Sequence, residues 1–220
     1  MRVVIAGGHG KIALHLERIL ATRGDEPVGL IRDPAQADDL REAGAEPVVL
    51  DLEKSTAEEV AKTLAGADAA VFAAGAGPGS SLDRKDTVDR GSAVLFAHAA
   101  ELAGTRRFLQ ISSMGQDRLN DETVDETFRG YLKAKAAAEE DLRTRDLDWT
   151  ILRPGGLTNE PGTGLVSLDL SLPRGQVPRE DVAAVLVGLL DANDTIGLTL
   201  ELTRGETPIE IAIAQLEPRT

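Results

Sequence analysis

The stretch Arg2-Val3-Val4-Ile5-Ala6-Gly7-Gly8-His9-Gly10-Lys11-Ile12-Ala13-Leu14 decides the fold of this chain. Its apolar run predicts a β-strand, its glycine cluster predicts a tight turn, and its resumed helical periodicity predicts the start of an α-helix. Free N–H groups and the positive end of the helix dipole then face the space above the turn, which suits a pyrophosphate. The spacing Gly7-x-x-Gly10-x-x-Ala13 is a shifted form of the glycine pattern of dinucleotide-binding loops.

Composition excludes several kinds of site. The chain carries 37 acidic and 24 basic side chains, and its net charge of −13 repels nucleic acid and anionic membranes because no basic cluster offsets it. Without cysteine there are no disulfides and no thiolate chemistry, and the three scattered histidines match no metal-ligand spacing. With no signal peptide and no apolar stretch that could span a bilayer, we expect a cytoplasmic protein with no metal, membrane or nucleic-acid partner.

Strand-like and helix-like segments alternate through most of the sequence. The predicted strands span residues 2–6, 27–31, 47–50, 69–73, 107–112, 148–152 and 198–203. The predicted helices span residues 11–22, 35–43, 56–65, 84–103, 129–145 and 179–191. Because the strands are apolar throughout rather than alternating, both faces of the sheet should be buried. The pattern predicts an α/β fold: a Rossmann-like, doubly wound parallel sheet in strand order 3-2-1-4-5-6, with the seventh strand near 198–203.

The length and the spacing of these elements fit one domain over residues 1–220. Residues 155–178 alone separate the sixth strand from the last long helix, so the substrate region is minimal and its pocket should be shallow and open. The C-terminal residues 209–213 alternate like a strand. However, Thr207-Pro208-Ile209-Glu210 offers an N-cap, a proline at the first helical position and a capping-box glutamate, so we predict a short helix there.

Seven motifs follow one another in a fixed order along the predicted elements. They are Gly7-Gly8-His9-Gly10, Arg32, Asp51-Leu52, Ala73-Ala74-Gly75, Ser112-Ser113, Tyr131-Leu132-Lys133-Ala134-Lys135 and Leu152-Arg153-Pro154-Gly155. Together they resemble an atypical short-chain dehydrogenase/reductase of the compact NAD(P)H-binding type, similar to NAD-dependent epimerase/dehydratase-like proteins and to flavin/biliverdin reductases. The resemblance implies a nicotinamide dinucleotide as cofactor and a small molecule as substrate.

The end of the second strand bears on the choice between NAD and NADP. An acid usually follows the glycine turn there and accepts the ribose hydroxyls of NAD, but this chain has Leu30-Ile31-Arg32. Arg32 can pair with a 2′-phosphate, which favours NADP, while Asp33 leaves NAD open. By resemblance, Asp51 and Leu52 would meet the adenine, and residues 73–75 would lie beneath the ribose. The residues assigned to the cofactor are Gly7, Gly8, Gly10, Lys11, Ile12, Arg32, Asp51, Leu52, Ala73, Ala74, Gly75, Lys135 and Pro154.

Tyr131 and Lys135 lie four residues apart on a predicted helix, so their side chains share one face. In the superfamily that the chain resembles, the lysine holds the nicotinamide ribose, and the tyrosine gives or takes the proton that accompanies hydride transfer. A serine after the preceding strand orients the substrate oxygen there, and we assign Ser113 rather than Ser112. The acidic linker 116–127 is either a solvated loop or a lid that repels anionic substrates.

These assignments predict an NADP-dependent oxidoreductase, monomeric or homodimeric, that moves a hydride between nicotinamide and a small carbonyl, quinone or flavin-like acceptor. A non-catalytic NADP-binding sensor or assembly factor is the first alternative. The second alternative is an epimerase or dehydratase, such as a sugar epimerase, that uses tightly held NAD. Tyr131 favours the two enzyme hypotheses, and the short C-terminal part counts against the epimerase.

Overall fold

A mostly parallel β-sheet forms the centre of the protein. The computed structural model describes residues 1–77, 79–119 and 121–216. Within these residues the central sheet has nine strands, and a separate ribbon has two. The strands are β1 (Arg2–Ala6), β2 (Glu26–Ile31), β3 (Glu46–Val49), β4 (Ala69–Phe72), β5 (Arg107–Ile111), β6 (Asp148–Pro154), β7 (Gly156–Thr158), β8 (Leu165–Asp169), β9 (Gln176–Pro178), β10 (Thr199–Arg204) and β11 (Thr207–Pro208).

Helices connect the parallel strands and cover the sheet. In the described part of the chain they are α1 (Lys11–Arg23), α2 (Ala37–Glu42), α3 (Ala57–Leu64), α4 (Leu82–Lys85), α5 (Ala93–Ala103), α6 (Glu126–Arg143), α7 (Arg179–Asp191) and α8 (Ile209–Ala214). A π-helical segment, Asp86–Ser92, joins α4 to α5, so the helix predicted over 84–103 contains a wide turn. This local widening has no signature in the apolar periodicity.

The strand order across the sheet is β3-β2-β1-β4-β5-β6-β10-β8-β11. The first six strands are parallel and lie in the predicted order, and β10 joins β6 in parallel as the predicted seventh strand. The α/β class and the doubly wound topology are therefore confirmed. The order reverses between β1 and β4, and ligands bind at the carboxyl ends of the strands beside such a reversal.

The edge beyond β10 differs from the prediction. β8 runs antiparallel to β10, β11 pairs with β8, and β7 and β9 form the two-stranded ribbon. The sequence predicted no strand in residues 155–178. β7 and β9 have three residues each and are too short for a periodic signal, whereas in β8 the buried Val166 and Leu168 do alternate with more exposed residues. The predicted C-terminal helix is confirmed as α8. The predicted cap was wrong, because Thr207 and Pro208 form β11 and α8 begins after Pro208 with no side-chain cap.

Apolar side chains bury both faces of the sheet. On one face, α1 and α7 contribute Leu16 and Leu186 to the larger cluster of buried residues. On the other face, Phe96 of α5 lies between Phe72 and Phe108, with ring centroids 6.2 and 5.7 Å away. This two-sided burial explains why the strands are apolar throughout instead of alternating.

Candidate active site

The glycine turn joins β1 to α1 in a geometry that suits an anion. Gly7 has a φ of 79°, and a Cβ at this position would lie 2.7 Å from the Cα of Ala74, so the turn requires glycine. Gly10 is the N-cap of α1 without a side-chain cap, and the first turn of α1 holds no acidic residue. The N–H groups and the dipole of this helix end are therefore available to a phosphate.

Gly8 packs the turn onto the sheet. Its N–H donates to the Leu30 carbonyl at 2.9 Å, and a Cβ on Gly8 would lie 2.8 Å from the Cα of Gly29. Lys11 and Ile12, which the sequence also assigned to the cofactor, begin α1; Lys11 is exposed, and Ile12 is half-buried against the core. In the described structure Gly8, Lys11 and Ile12 do not line the cleft above the turn.

A cleft of about 280 Å³, here called the first cleft, lies at the carboxyl ends of β1 to β4. Eight of the residues that the sequence assigned to the cofactor line it. They are Gly7, Gly10, Arg32, Asp51, Leu52, Ala73, Ala74 and Gly75. The fold therefore brings the glycine turn, the charged end of β2 and the small residues after β4 into one wall, although they are far apart in the sequence.

Two arginines lie at the outer end of the first cleft. Arg32 Nη1 is 3.5 Å from Glu53 Oε2, and Arg84 Nη2 of α4 is 3.0 Å from the same oxygen. The Arg32 side chain is 57% exposed, so its guanidinium can turn toward a ligand without breaking a buried contact. Because two cations share one carboxylate, these three side chains carry a net positive charge.

Two acids near the mouth of the first cleft are held by their own loops. Asp51 accepts from the Glu53 N–H at 3.1 Å and pairs with Lys54 at 3.2 Å. Burial alone would raise the pKa of Asp51, but these contacts outweigh it and hold the pKa below its usual range, so the carboxyl is ionised. Asp33 accepts from the Ala35 N–H at 3.0 Å and caps the turn that follows β2.

Lys135 of α6 lies between the first cleft and Tyr131. Its ammonium group donates to the Ala74 carbonyl at 3.5 Å and to the Ile111 carbonyl at 3.3 Å. It also pairs with Asp89 at 3.2 Å, and both of these side chains are buried. Asp89 belongs to the π-helical segment, a kind of turn that is frequent at functional sites. The position of the ammonium group is therefore fixed by three separate elements of the fold.

A second cleft, about 400 Å³ in volume, borders Tyr131. The Tyr131 ring stacks on Phe128 with centroids 5.9 Å apart. The ammonium groups of Lys85 and Lys135 lie 5.1 and 5.8 Å from the Tyr131 ring centroid, within the range of a cation–π contact. Two cations therefore flank the ring, whereas the sequence pointed to Lys135 alone. The predicted site residues Ser113 and Pro154 also line the second cleft.

A buried carboxylate, Glu139 of α6, holds one of the two serines. Ser112 Oγ donates to Glu139 at 2.5 Å, and Arg153 donates to the same carboxylate at 2.9 and 2.5 Å. The hydroxyl proton of Ser112 is therefore engaged. Ser113 is half-buried, and its hydroxyl donates to the Met114 carbonyl at 3.0 Å at the edge of the second cleft. The hydroxyl of Ser113 is therefore held less firmly than that of Ser112, because its partner is a neighbouring carbonyl and not a buried carboxylate.

The linker between β5 and α6 borders the second cleft. Gln116–Arg118 forms a 3₁₀ turn, and α6 begins at Glu126 behind a cap from Asp125. Asn120 lies outside the described residues. Arg118 lines the second cleft and presents a positive charge, which counts against the hypothesis of an anion-repelling lid.

Residues 1–77, 79–119 and 121–216 offer neither a membrane-spanning helix nor a metal site. No helix in these ranges is long and apolar enough to cross a membrane. The same residues form no group of three or more side chains that could hold a metal ion. His9, which lines the first cleft, instead lies 2.6 Å from Asp39 at the surface.

Comparison with known proteins identifies the family. Residues 7–193 match the family described as NAD(P)H-binding. The chain belongs to this family. A curated relative of this NAD(P)H-binding protein, the "Uncharacterized sugar epimerase YhfK" of Bacillus subtilis, is 37% identical over 98% of the chain and 100% of its own length.

Solved structures agree with this membership. A candidate NAD-dependent epimerase/dehydratase of Bacillus halodurans has 38% identity and a TM-score of 0.90, over 98% of this chain and 100% of that one. The oxidoreductase ylbE of Lactococcus lactis has 28% identity and a TM-score of 0.87, over 100% and 99% of the two chains. An anaerobilin reductase of Escherichia coli O157:H7, at 23% identity and a TM-score of 0.79, shares the fold. The predicted resemblance and the Rossmann-like fold are confirmed.

The sequence did not identify several residues that lie around the two clefts of this NAD(P)H-binding protein. Glu139 stands four residues after Lys135 on the face that also carries Tyr131, so its helical spacing could have revealed it. Asp89 and Lys85 gave no such signal, because the π-helical turn shifts the face on which Asp89 lies. Long-range packing of this segment against α6 brings both residues to the site.

Proposed function

We propose that the protein is an NADPH-dependent oxidoreductase that reduces a small carbonyl, quinone or flavin-like acceptor. The observation that carries the proposal is the position of Lys135. Its ammonium group contacts the Ala74 carbonyl in the wall of the first cleft and lies 5.8 Å from the ring centroid of Tyr131 in the second. A cofactor laid along the first cleft would therefore end beside a group that can give a proton, which favours the enzyme over a non-catalytic sensor.

The residues of the first cleft fit a dinucleotide. The uncapped N-terminus of α1 can hold the pyrophosphate, and Gly7 and Gly10 keep side chains away from it. The small side chains at 73–75 leave room for the adenosine ribose. When bound, the reduced dinucleotide supplies the hydride at C4 of its nicotinamide.

The outer end of the first cleft supports NADP over NAD. Asp33, the one acid that could reach the ribose hydroxyls from β2, is engaged in capping its own turn among the described residues. Arg32 and Arg84 together can meet a 2′-phosphate, and both have exposed side chains that are free to reorient. Glu53, which they share, would then remain paired with at least one of them.

Tyr131 is the proposed proton donor. Lys85 and Lys135 stabilise the negative charge that develops on the phenol oxygen as its proton leaves. Asp89 holds Lys135 in place before any ligand arrives. Ser113 orients the acceptor oxygen by turning its hydroxyl away from the neighbouring Met114 carbonyl, whereas the Ser112 hydroxyl is held by the buried Glu139 carboxylate. The acceptor gains the hydride and the Tyr131 proton, and water returns a proton to the phenolate.

An NAD-dependent epimerase is the second candidate, and the names of the relatives at 37% and 38% identity favour it. Such an enzyme would keep its NAD through each turnover and would consume no NADPH. The short segment between β6 and α7 leaves little chain for a sugar-nucleotide site, which favours the reductase.

A nucleotide and acceptor screen tests the proposal. The protein is purified, any bound nucleotide is released and identified by mass spectrometry, and oxidation of NADPH is followed with aldehydes, quinones and flavins. We expect NADPH to bind more tightly than NADH and to be oxidised only when an acceptor is present. Stoichiometric NAD in the purified protein, with no oxidation of NADPH by any acceptor, would contradict the reductase and favour the epimerase.

A further inference from the structure

Arginine side chains dominate the charge of the second cleft. The described residues that line it include Arg118, Arg174 and Arg179 and no aspartate or glutamate. This is unexpected in a chain with 37 acidic and 24 basic side chains, where an average wall would carry more carboxylates than cations. The three arginines come from the turn after β5, the segment before β9 and the first residue of α7. The fold therefore gathers positive charge beside Tyr131 from three separate elements.

Arg179 has no acidic partner within 4.0 Å among the described residues. Its Nη1 donates to Asn159 Oδ1 at 2.8 Å, a contact that orients the guanidinium without neutralising it. The two acids that follow it in α7 are engaged elsewhere, because Glu180 and Asp181 accept from backbone N–H groups of residues 162–164 at 2.7 and 2.8 Å. The first turn of α7 thus presents its cation, and not its carboxylates, to the cleft.

The other two arginines are partly neutralised at the rim. Arg174 Nη2 is 2.6 Å from Asp117, and Arg118 Nε is 3.4 Å from Asp121. Both pairs reach solvent, where an ion pair contributes little to stability, so each guanidinium can turn toward a ligand at small cost. Neither aspartate is part of the described lining of the cleft. All three arginines are therefore available to an anion inside it.

The remainder of the second cleft is largely apolar. Phe128, Met114 and Leu157 line it together with Tyr131. Phe128 is 40% exposed and offers a flat ring face next to Tyr131. A ligand with a flat apolar body can lie there while an anionic end reaches Arg179. Guanidinium groups recognise carboxylates through two parallel hydrogen bonds, which gives both affinity and orientation.

We infer that the second cleft selects carbonyl acceptors that carry a carboxylate group, held by Arg179 with Arg174 and Arg118 at the rim. The reaction rests on the proposed reductase function, whereas the binding of the acid does not. The aldehyde or ketone carbon accepts the hydride as NADPH is oxidised to NADP⁺, and the carbonyl oxygen takes the Tyr131 proton. The product is an alcohol that keeps its carboxylate, and water restores the proton of Tyr131.

Matched pairs of probes that differ in charge test the inference. Binding is measured by calorimetry on the NADP-loaded protein with 4-(hydroxymethyl)benzoate and with its neutral amide. Reduction by NADPH is measured with 4-carboxybenzaldehyde and with its methyl ester. The variant is Arg179→Gln, with Arg179→Lys as a form that keeps the charge. The control is Arg106→Gln, which lies just before β5 at the amino end of the strands, away from the clefts, where Arg106 pairs with Asp146.

We expect the acid to bind at least about fivefold more tightly than the amide, and Arg179→Gln to remove most of this preference. Arg179→Lys should keep part of it, and Arg106→Gln should leave it unchanged. Equal binding of acid and amide, or a preference that survives Arg179→Gln, would overturn the inference. Binding of the acid without reduction of either aldehyde would refute the reduction of carbonyl acceptors in this cleft and keep the carboxylate site. Reduction of both aldehydes, with no tighter binding of the acid than of the amide, would refute the carboxylate site and keep the reductase.

Discussion

Glu17 is a buried carboxyl group beneath the glycine turn, and its replacement should abolish a specific pH dependence of stability. The side chain is fully buried, and neither carboxyl oxygen has a hydrogen-bond partner in the described part of the chain. A Cβ on Gly29 would lie 2.5 Å from Glu17 Oε1, and a Cβ on Gly8 would lie 3.0 Å from it. Burial raises the pKa of Glu17 to about 8, although the charge of Arg18 opposes the shift.

The magnitude follows from the difference between the two states. The unfolded chain releases the Glu17 proton near the ordinary pKa of 4.5, whereas the folded protein keeps it until the pH approaches 8. The stability linked to this proton is therefore fully present below the ordinary pKa and is lost as the pH rises through the folded pKa. At about 1.4 kcal/mol per pH unit, about 3 kcal/mol is lost between about pH 5 and about pH 7.

Glu17→Gln keeps the shape of the side chain and cannot ionise, so its free energy of unfolding should lack this decline. Urea unfolding of parent and variant over the same pH range measures it, because the difference between them cancels the other titrating groups. Between about pH 5 and about pH 7, the free energy of unfolding of the variant should rise by about 3 kcal/mol relative to that of the parent. Glu42→Gln, at an exposed position, is the control and should follow the parent throughout. Parallel pH profiles for Glu17→Gln and the parent would refute the reasoning.

Three other variants probe the first cleft and its junction with Tyr131. Arg32→Ala should weaken NADPH binding about tenfold and spare NADH, because a charge-assisted contact to the 2′-phosphate is lost; fluorescence titration with equal losses for both nucleotides would contradict this. Lys135→Ala should lower both NADPH affinity and kcat, since the ammonium group is proposed to contact the ribose and to stabilise the tyrosine. A change in kcat alone, in steady-state kinetics, would contradict the ribose contact. Asp89→Ala should reduce the free energy of unfolding by roughly 3 kcal/mol by leaving Lys135 buried and unpaired. The double variant Asp89→Ala with Lys135→Met should recover most of that loss in denaturant unfolding, and additive losses would contradict the pairing.

The glycine turn and the first six strands could be predicted because their signals are local, and their order followed from the topology of doubly wound sheets. β4 (Ala69–Phe72) is buried along its whole length, and such continuous apolar runs are typical of strands covered on both faces. The positive φ of Gly7 is likewise a local property of the turn, although the close approach of Ala74 that also requires glycine there is not. The short strands β7 and β9 have no local signal of this kind, because they form by pairing with each other and carry no periodic pattern. The sequence therefore did not predict them.

The residues of the candidate site likewise differ in whether their signals are local in the sequence. Tyr131 and Lys135 are spaced along one helix, so the sequence could place them on one face. Asp89, Arg84 and Arg179 reach the clefts through contacts between elements that are distant in the chain. Charge counting could not identify them, because in a chain with 28% charged residues most such side chains are solvated. The electrostatics of the site therefore required the tertiary structure, whereas its position did not.

The most direct test of the central claim is the effect of Tyr131→Phe on binding and turnover measured side by side. The variant loses only a hydroxyl, so NADPH should bind nearly as well as to the parent in a fluorescence titration. Its kcat with an acceptor from the screen should fall by roughly 10²–10⁴, the usual contribution of a positioned acid. If Tyr131→Phe instead retains most of the parental kcat, proton delivery comes from water or from the acceptor itself, and the assignment of Tyr131 is contradicted.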